Sequence, residues 1–203
     1  FTRDKGRVRS NLIHFKDINK LKKNIKKIVE QDIKKITSKR KNFLKNVNFS
    51  EPSIMGVLNL TPDSFSDGGE FNSNSRAFKQ VSNMIHSGAK IIDVGGESTR
   101  PGSKTIPAKT EWKRIQHVLK NFKKKYRSVC LSVDTRKSDV MIQSLKHGVD
   151  LINDVSGFDY DRFSLLKLKN SKVSKVLHHM QGTPNTMQKN PKYKNVLLDI
   201  YDF

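Results

Sequence analysis

From residue 53 onward the chain repeats one pattern five times: a short apolar run that ends in a polar residue, then a helical stretch. The runs lie at 54–60, 90–95, 129–134, 150–154 and 173–178. None has helical spacing and each is bounded by turn residues, as expected for strands buried on both faces. Helical segments are predicted at 75–87, 110–125, 137–147 and 160–169, and the closing "KNVLLDIYDF" reads as one more. Strands alternating with helices imply βαβ units and a parallel sheet. The runs end in Asn59, Asp93, Asp134, Asn153 and His178/His179. In a (β/α)8 barrel such ends converge on one face, where active sites are built. In an open, doubly wound sheet they would spread along an edge. Five polar ends in succession favour the barrel. A full barrel takes about 250 residues, roughly 30 per unit, and only 151 remain from residue 53. The expectation is an α/β chain, a (β/α)8 TIM barrel truncated to about five βα units. By this count it is an N-terminal portion that lacks three units.

Residues 1–52 read as a basic N-terminal extension, and residues 53–203 as the barrel. In "DINKLKKNIKKIVEQDIKKI", residues 17–36, Ile18, Leu21, Ile25, Ile28, Val29 and Ile36 recur at helical spacing with Lys on the other face. Asp17 is the predicted N-cap. No Trp or Phe marks the apolar face, so packing on a neighbour is favoured over lying on a membrane. Residues 37–52 read as a linker.

The chain carries 40 Lys+Arg against 19 Asp+Glu, formally +21, and the first 50 residues hold 16 of the bases and 4 of the acids. Such an excess suits phosphate-bearing ligands, anionic lipid or nucleic acid. Its diffuseness reads first as solvated basic faces. Few aromatics are interleaved with the N-terminal charge, and no nucleic-acid motif is present, which argues against nucleic acid as a partner. The single Cys130 lies in an apolar run, excludes an internal disulfide and fits a reducing, cytoplasmic setting. No apolar run approaches the roughly 18 residues needed to span a membrane, and no signal peptide is visible.

The loops carry the chemistry. "SIMGVLNLTPDSFSDGG", residues 53–69, leads from a strand into a loop with two aspartates, several hydroxyls and Phe65. That mixture suits closure over a polar ligand with an aromatic part. In "ESTRPG", residues 97–102, Thr99 and Arg100 pair a hydroxyl with a permanent guanidinium, a phosphate-binding combination. Asp134 in "SVDTRK" offers a carboxylate to adjacent N–H donors. Asn153 in "INDVSG" offers both donor and acceptor. An acid beside an amide suits the edge of an amino-pyrimidinone. Each also has a plain reading, as a polar turn or a strand cap.

"MGVLNLTPDSFSDGG", "GAKIIDVGGESTRPG", "SVDTRK", "INDVSG" and "HMQGTPNTMQ" together resemble the dihydropteroate synthase family, in order and at suitable spacings from about residue 53 to 190. The resemblance implies condensation of 4-aminobenzoate with 6-hydroxymethyl-7,8-dihydropterin diphosphate, with Mg²⁺ as cofactor. It implies that Asn59 is the metal ligand and that Asp134 and Asn153 hold the pterin. Thr99 and Ser98 would bind substrate, and Arg100 would act on the diphosphate. Thr61, Pro62, Phe65 and Asp67 belong to a mobile first loop, with Phe65 over the benzoate ring and Asp67 helping to order the closed loops. Asp67 and Arg100 are the catalytic candidates. His179 matches a family histidine and is assigned no catalytic role. His178 stands where the family has methionine. The family's later motifs, an Asp strand, a lysine loop and a terminal Arg-x-His, are missing. The alternative is a pterin- or phosphate-binding fragment or paralogue without turnover. A second copy of the chain is left open as a partner.

Overall fold

The computed structural model describes residues 2–4, 7–39, 42–61, 70–98, 100 and 103–203. The chain forms two compact units, 1–41 and 42–203. In the first, β1 (Thr2–Asp4) and β2 (Arg7–Arg9) pair antiparallel. A 3₁₀ turn follows (Phe15–Lys20), then helix α1 (Lys23–Thr37). The single helix expected over 17–36 is thus split. Asp17 is no N-cap but sits inside the 3₁₀ turn, paired with Lys20 at 2.8 Å. An apolar step of three, as from Ile18 to Leu21, serves a 3₁₀ turn as well as an α-helix, so periodicity alone could not place the break. Ile18 is buried, whereas no residue of α1 is.

The second unit opens on a tight antiparallel hairpin, β3 (Phe43–Leu44) and β4 (Val47–Asn48). Lys45 takes a positive φ of 53° at its turn. These residues were expected to be linker. Instead Leu44 and Val47 are buried against Met55, Ile91, Cys130, Leu151 and Val176. Five parallel strands follow: β5 (Ile54–Asn59), β6 (Ala89–Gly95), β7 (Cys130–Asp134), β8 (Leu151–Asp154) and β9 (Ser174–Leu177). They pair in chain order, β5-β6-β7-β8-β9. A doubly wound sheet reverses its order at a switch point; this one does not, which is barrel behaviour. The arc is partial. Among the described residues β5 pairs only with β6, and β9 only with β8.

The connecting helices are α2 (Glu70–His86), α3 (Ala108–Lys125), α4 (Ser138–Leu145) and α5 (Ser164–Leu168), with α6 (Val196–Asp202) after β9. The fourth starts later than its pattern suggested. Asp161 is diverted: one oxygen accepts from the Phe163 N–H and the other from the Ser138 N–H at the start of α4. Its side chain thereby serves the turn and a neighbouring helix end, and α5 begins only beyond it.

Alternation along the strands separates two faces. Leu58, Ile92, Val94, Leu131, Val133 and Ile152 meet the helices, where Val81, Ile115, Leu119, Phe122 and Met141 complete the core. On the inner face Ile91, Cys130 and Leu151 form an apolar floor under the hairpin. Above that floor the inner face turns polar.

Candidate active site

The register aligns the polar residues. Asn59 pairs with Gly95, Gly95 with Asp134, and Asp134 with Asn153, one row across four strands at their C-terminal ends. One layer below, Val57, Asp93 and Ser132 pair in the same way. Three of the sequence-predicted site residues, Asn59, Asp134 and Asn153, are therefore brought together at one mouth. Gly95 matters to the spacing. A Cβ built there would lie 3.4 Å from Asn59 Oδ1 and 3.8 Å from Asp134 Oδ2. The absent side chain leaves a gap lined by both oxygens.

Asp134 is mostly buried, and its carboxyl is pushed up to about 7. Loss of solvent is the main cause, followed by the negative charges of Asp93, Glu111 and Asp154; Arg136 pulls the other way. Asp93 is only 3 % exposed. Burial raises its pKa too, against the hydrogen bonds of Ser132 and then of the Asn153 amide. Asn153 Nδ2 donates to Asp93 Oδ2 at 3.0 Å. With that N–H engaged, the Asn153 carbonyl oxygen and the Asp134 carboxylate are two acceptors side by side. They suit a heterocycle edge with neighbouring N–H donors.

The loop after β6 is stapled at its base. Glu97 Oε1 accepts from the Ile106 N–H at 3.0 Å, so residues 97 and 106 are held together. Glu97 Oε2 accepts from Arg136 Nη2 at 2.8 Å and Nε at 3.2 Å. Lys137 Nζ bridges Glu97, at 2.9 Å, and Glu111, at 2.6 Å. All four charged side chains are buried. Burial opposes the Glu97 charge, yet Lys137 and Arg136 hold its carboxyl below the usual range. The bonds fix the loop carrying Ser98 and Arg100 to the segment directly after Asp134. Gly96 allows the fit: a Cβ there would come within 2.8 Å of Ile115 and 2.9 Å of the Glu111 carbonyl.

Ser98 is half-buried and its Oγ accepts from the Arg100 N–H at 3.4 Å; Arg100 itself is exposed. Thr61 is half-buried just past the end of β5. Pro62, Phe65, Asp67 and Thr99 lie outside the described residues. His179 bonds Tyr193 across 3.1 Å and packs edge-on against Phe203, while His178 is exposed. Sequence reasoning treated Asp93 only as a strand-end group and did not single out Glu97. Parity was the available signal for Asp93, which alternates in step with Ile91 and Gly95 and so shares their face. Nothing local marks Glu97, whose partners are 9 to 40 residues away.

An in-order parallel sheet with polar strand ends gathered at one mouth defines a (β/α)-barrel protein with its site at the C-terminal face. Residues 55–203 match the family of pterin binding enzymes, and the chain belongs to that family. It is 42% identical over 155 residues to the dihydropteroate synthase of Escherichia coli, covering 76% of this chain and 54% of that protein. The structure of Burkholderia cenocepacia dihydropteroate synthase complexed with 7,8-dihydropteroate superposes with a TM-score of 0.65 at 35% identity, over 77% of this chain and 52% of that one. The Xanthomonas albilineans dihydropteroate synthase with 4-aminobenzoic acid gives 0.67 at 34% identity, over 77% and 55%. The chain spans about half the length of the curated relatives it matches. Among the described residues no helix is long and apolar enough to cross a membrane, and no group of three or more His, Cys, Asp or Glu could hold a metal ion.

Proposed function

We propose that the protein is a dihydropteroate synthase, joining 4-aminobenzoate to 6-hydroxymethyl-7,8-dihydropterin diphosphate and releasing diphosphate and 7,8-dihydropteroate. The observation that carries this reading is the row Asn59–Gly95–Asp134–Asn153 at the mouth of a pterin-binding-family barrel. Asp134 and Asn153 receive the N–H edge of the pterin. Ser98, Thr99 and Arg100 bind the diphosphate, with the Arg100 guanidinium matching its oxygens. Thr61, Pro62, Phe65 and Asp67 are assigned to the aminobenzoate by the family resemblance alone.

The chemistry asks little of a base. The aromatic amine is already unprotonated at neutral pH, and its lone pair forms the new C–N bond to the pterin methylene. The C–O bond to diphosphate breaks, and the surplus amine proton passes to solvent. Positive charge developing on the methylene spreads into the electron-rich pterin, which Asp134 stabilises from the mouth. Asn59, whose Oδ1 is a hard oxygen donor at the mouth, would be the residue to hold Mg²⁺, with phosphate and water filling the other positions. Bound there, Mg²⁺ would neutralise the departing diphosphate.

The test is a product assay on the full-length protein with Mg²⁺ and both substrates. Dihydropteroate and diphosphate are expected in equal amounts. Binding of both ligands with no product would favour a pterin-binding protein without turnover.

A further inference from the structure

We propose that Asp93 is a positioning residue of the pterin site, fixing which way the Asn153 amide faces; this rests on the pterin-site reading above. Three observations carry it. Asp93 Oδ2 accepts from Asn153 Nδ2 at 3.0 Å, and only the nitrogen end of an amide can donate to a carboxylate. The contact spans a whole strand, since Asp93 sits on β6 and Asn153 on β8. It passes the inner face of β7 at Ser132, the register partner of Asp93, which is fully buried and small. Finally, Asp93 is only 3 % exposed, and Ser132 and Asn153 are the side chains whose hydrogen bonds oppose the effect of burial on its carboxyl. A buried acid is costly to stability and is kept where a site needs it.

An asparagine amide is nearly symmetric in shape, so packing alone scarcely distinguishes its two ends. Without Asp93 the Asn153 amide can turn over and present an N–H to the ligand in place of its carbonyl. Two donors would then face each other across the pterin edge. Asp93 opposes this by offering the Asn153 Nδ2 an acceptor oxygen at 3.0 Å. Asp93 thus acts on the ligand through Asn153 and need not touch it.

A double-mutant cycle on the full-length protein tests this, read by calorimetric titration with 6-hydroxymethyl-7,8-dihydropterin. Binding by the unaltered protein is the first arm, and its absence overturns both the pterin-site reading and this inference. In the second arm Asp93→Ala is expected to weaken binding roughly tenfold, the worth of one misdirected hydrogen bond. In an Asn153→Ala background the same substitution should cost less than about twofold, because its route through the amide is gone. Asp93→Asn, whose carbonyl can still accept from Nδ2, should restore most of the affinity. Asp93→Leu gives a folded comparison of similar volume if the alanine variant does not fold. The affinity for 4-aminobenzoate should stay level throughout. The inference is overturned if removing the Asp93 acceptor leaves pterin affinity unchanged, or costs the same with and without Asn153.

Discussion

Asp134 carries the site's largest electrostatic tension. Its carboxyl titrates near 7 because it is buried among Asp93, Glu111 and Asp154. An acid whose folded pKa exceeds its unfolded one holds more protons folded than unfolded between the two values. Stability therefore falls as pH rises from about 4 to about 7. Asp134→Asn removes that titration while keeping the shape. We expect the variant to melt above the wild type at pH 8, with the gain shrinking towards pH 4 and worth at most about 4 kcal/mol. Parallel melting curves across that range would contradict this. A ligand with N–H donors would relieve the same tension, so an unfavourable residue in the empty fold is a useful one in the site. Asp134 and Asn153 were legible in the sequence, because a polar residue closing an apolar run is conspicuous. Their support was not. The bond from Asn153 to Asp93 joins residues 60 apart and depends on a small side chain on the strand between. The Glu97–Arg136–Lys137–Glu111 cluster likewise exists only once the chain has folded.

The five strands were legible almost to the residue, because each is a short run between polar stops; β6, β7 and β8 are buried on both faces as expected, whereas the outer strands β5 and β9 are largely exposed. The hairpin at 43–48 was not. Two-residue strands are too short to show a period, and a turn at Lys45-Asn46 has none of the usual Gly signal. It is nonetheless tied in firmly. Lys45 Nζ donates to the carbonyls of Arg127 and Val129, and Asn46 Nδ2 to that of Ser128. Lys45 and Lys123 both pair with Asp150, which also accepts from the Leu131 N–H. Beneath the hairpin Cys130 is wholly buried, and its thiol is pushed up to about 11, chiefly by burial and then by the Asp150 charge. A thiol in that state is unreactive. Folded protein should therefore label slowly with a thiol reagent. Leu44→Ala should cost about 2 kcal/mol or more and raise the labelling rate of Cys130 at least severalfold. Equal rates in variant and wild type would mean that the hairpin does not guard the floor.

In the second unit the sheet is partial: among the described residues its outer strands, β5 and β9, each pair on one side only. Ile54 and Val57 on β5 and Leu177 on β9 are each more than half exposed. Unpaired strand edges leave backbone groups without partners and apolar faces wet, and a barrel has neither because its last strand pairs with its first. We expect the 203 residues expressed alone to make no dihydropteroate and to melt without a sharp transition. Their charge of +21 favours solubility whether or not they fold, so solubility is no test of folding. Robust turnover together with one cooperative melt would show that closure is not needed. The central claim is that the mouth of this sheet is a pterin site, and one titration tests it most directly. Full-length wild type and Asp134→Ala are titrated by calorimetry, in Mg²⁺, with 6-hydroxymethyl-7,8-dihydropterin diphosphate and separately with 4-aminobenzoate. The expected result is a loss of pterin affinity on the order of 2–4 kcal/mol, the worth of charge-assisted bonds to buried N–H donors, with aminobenzoate affinity unchanged. Pterin affinity equal in the two proteins would contradict the account.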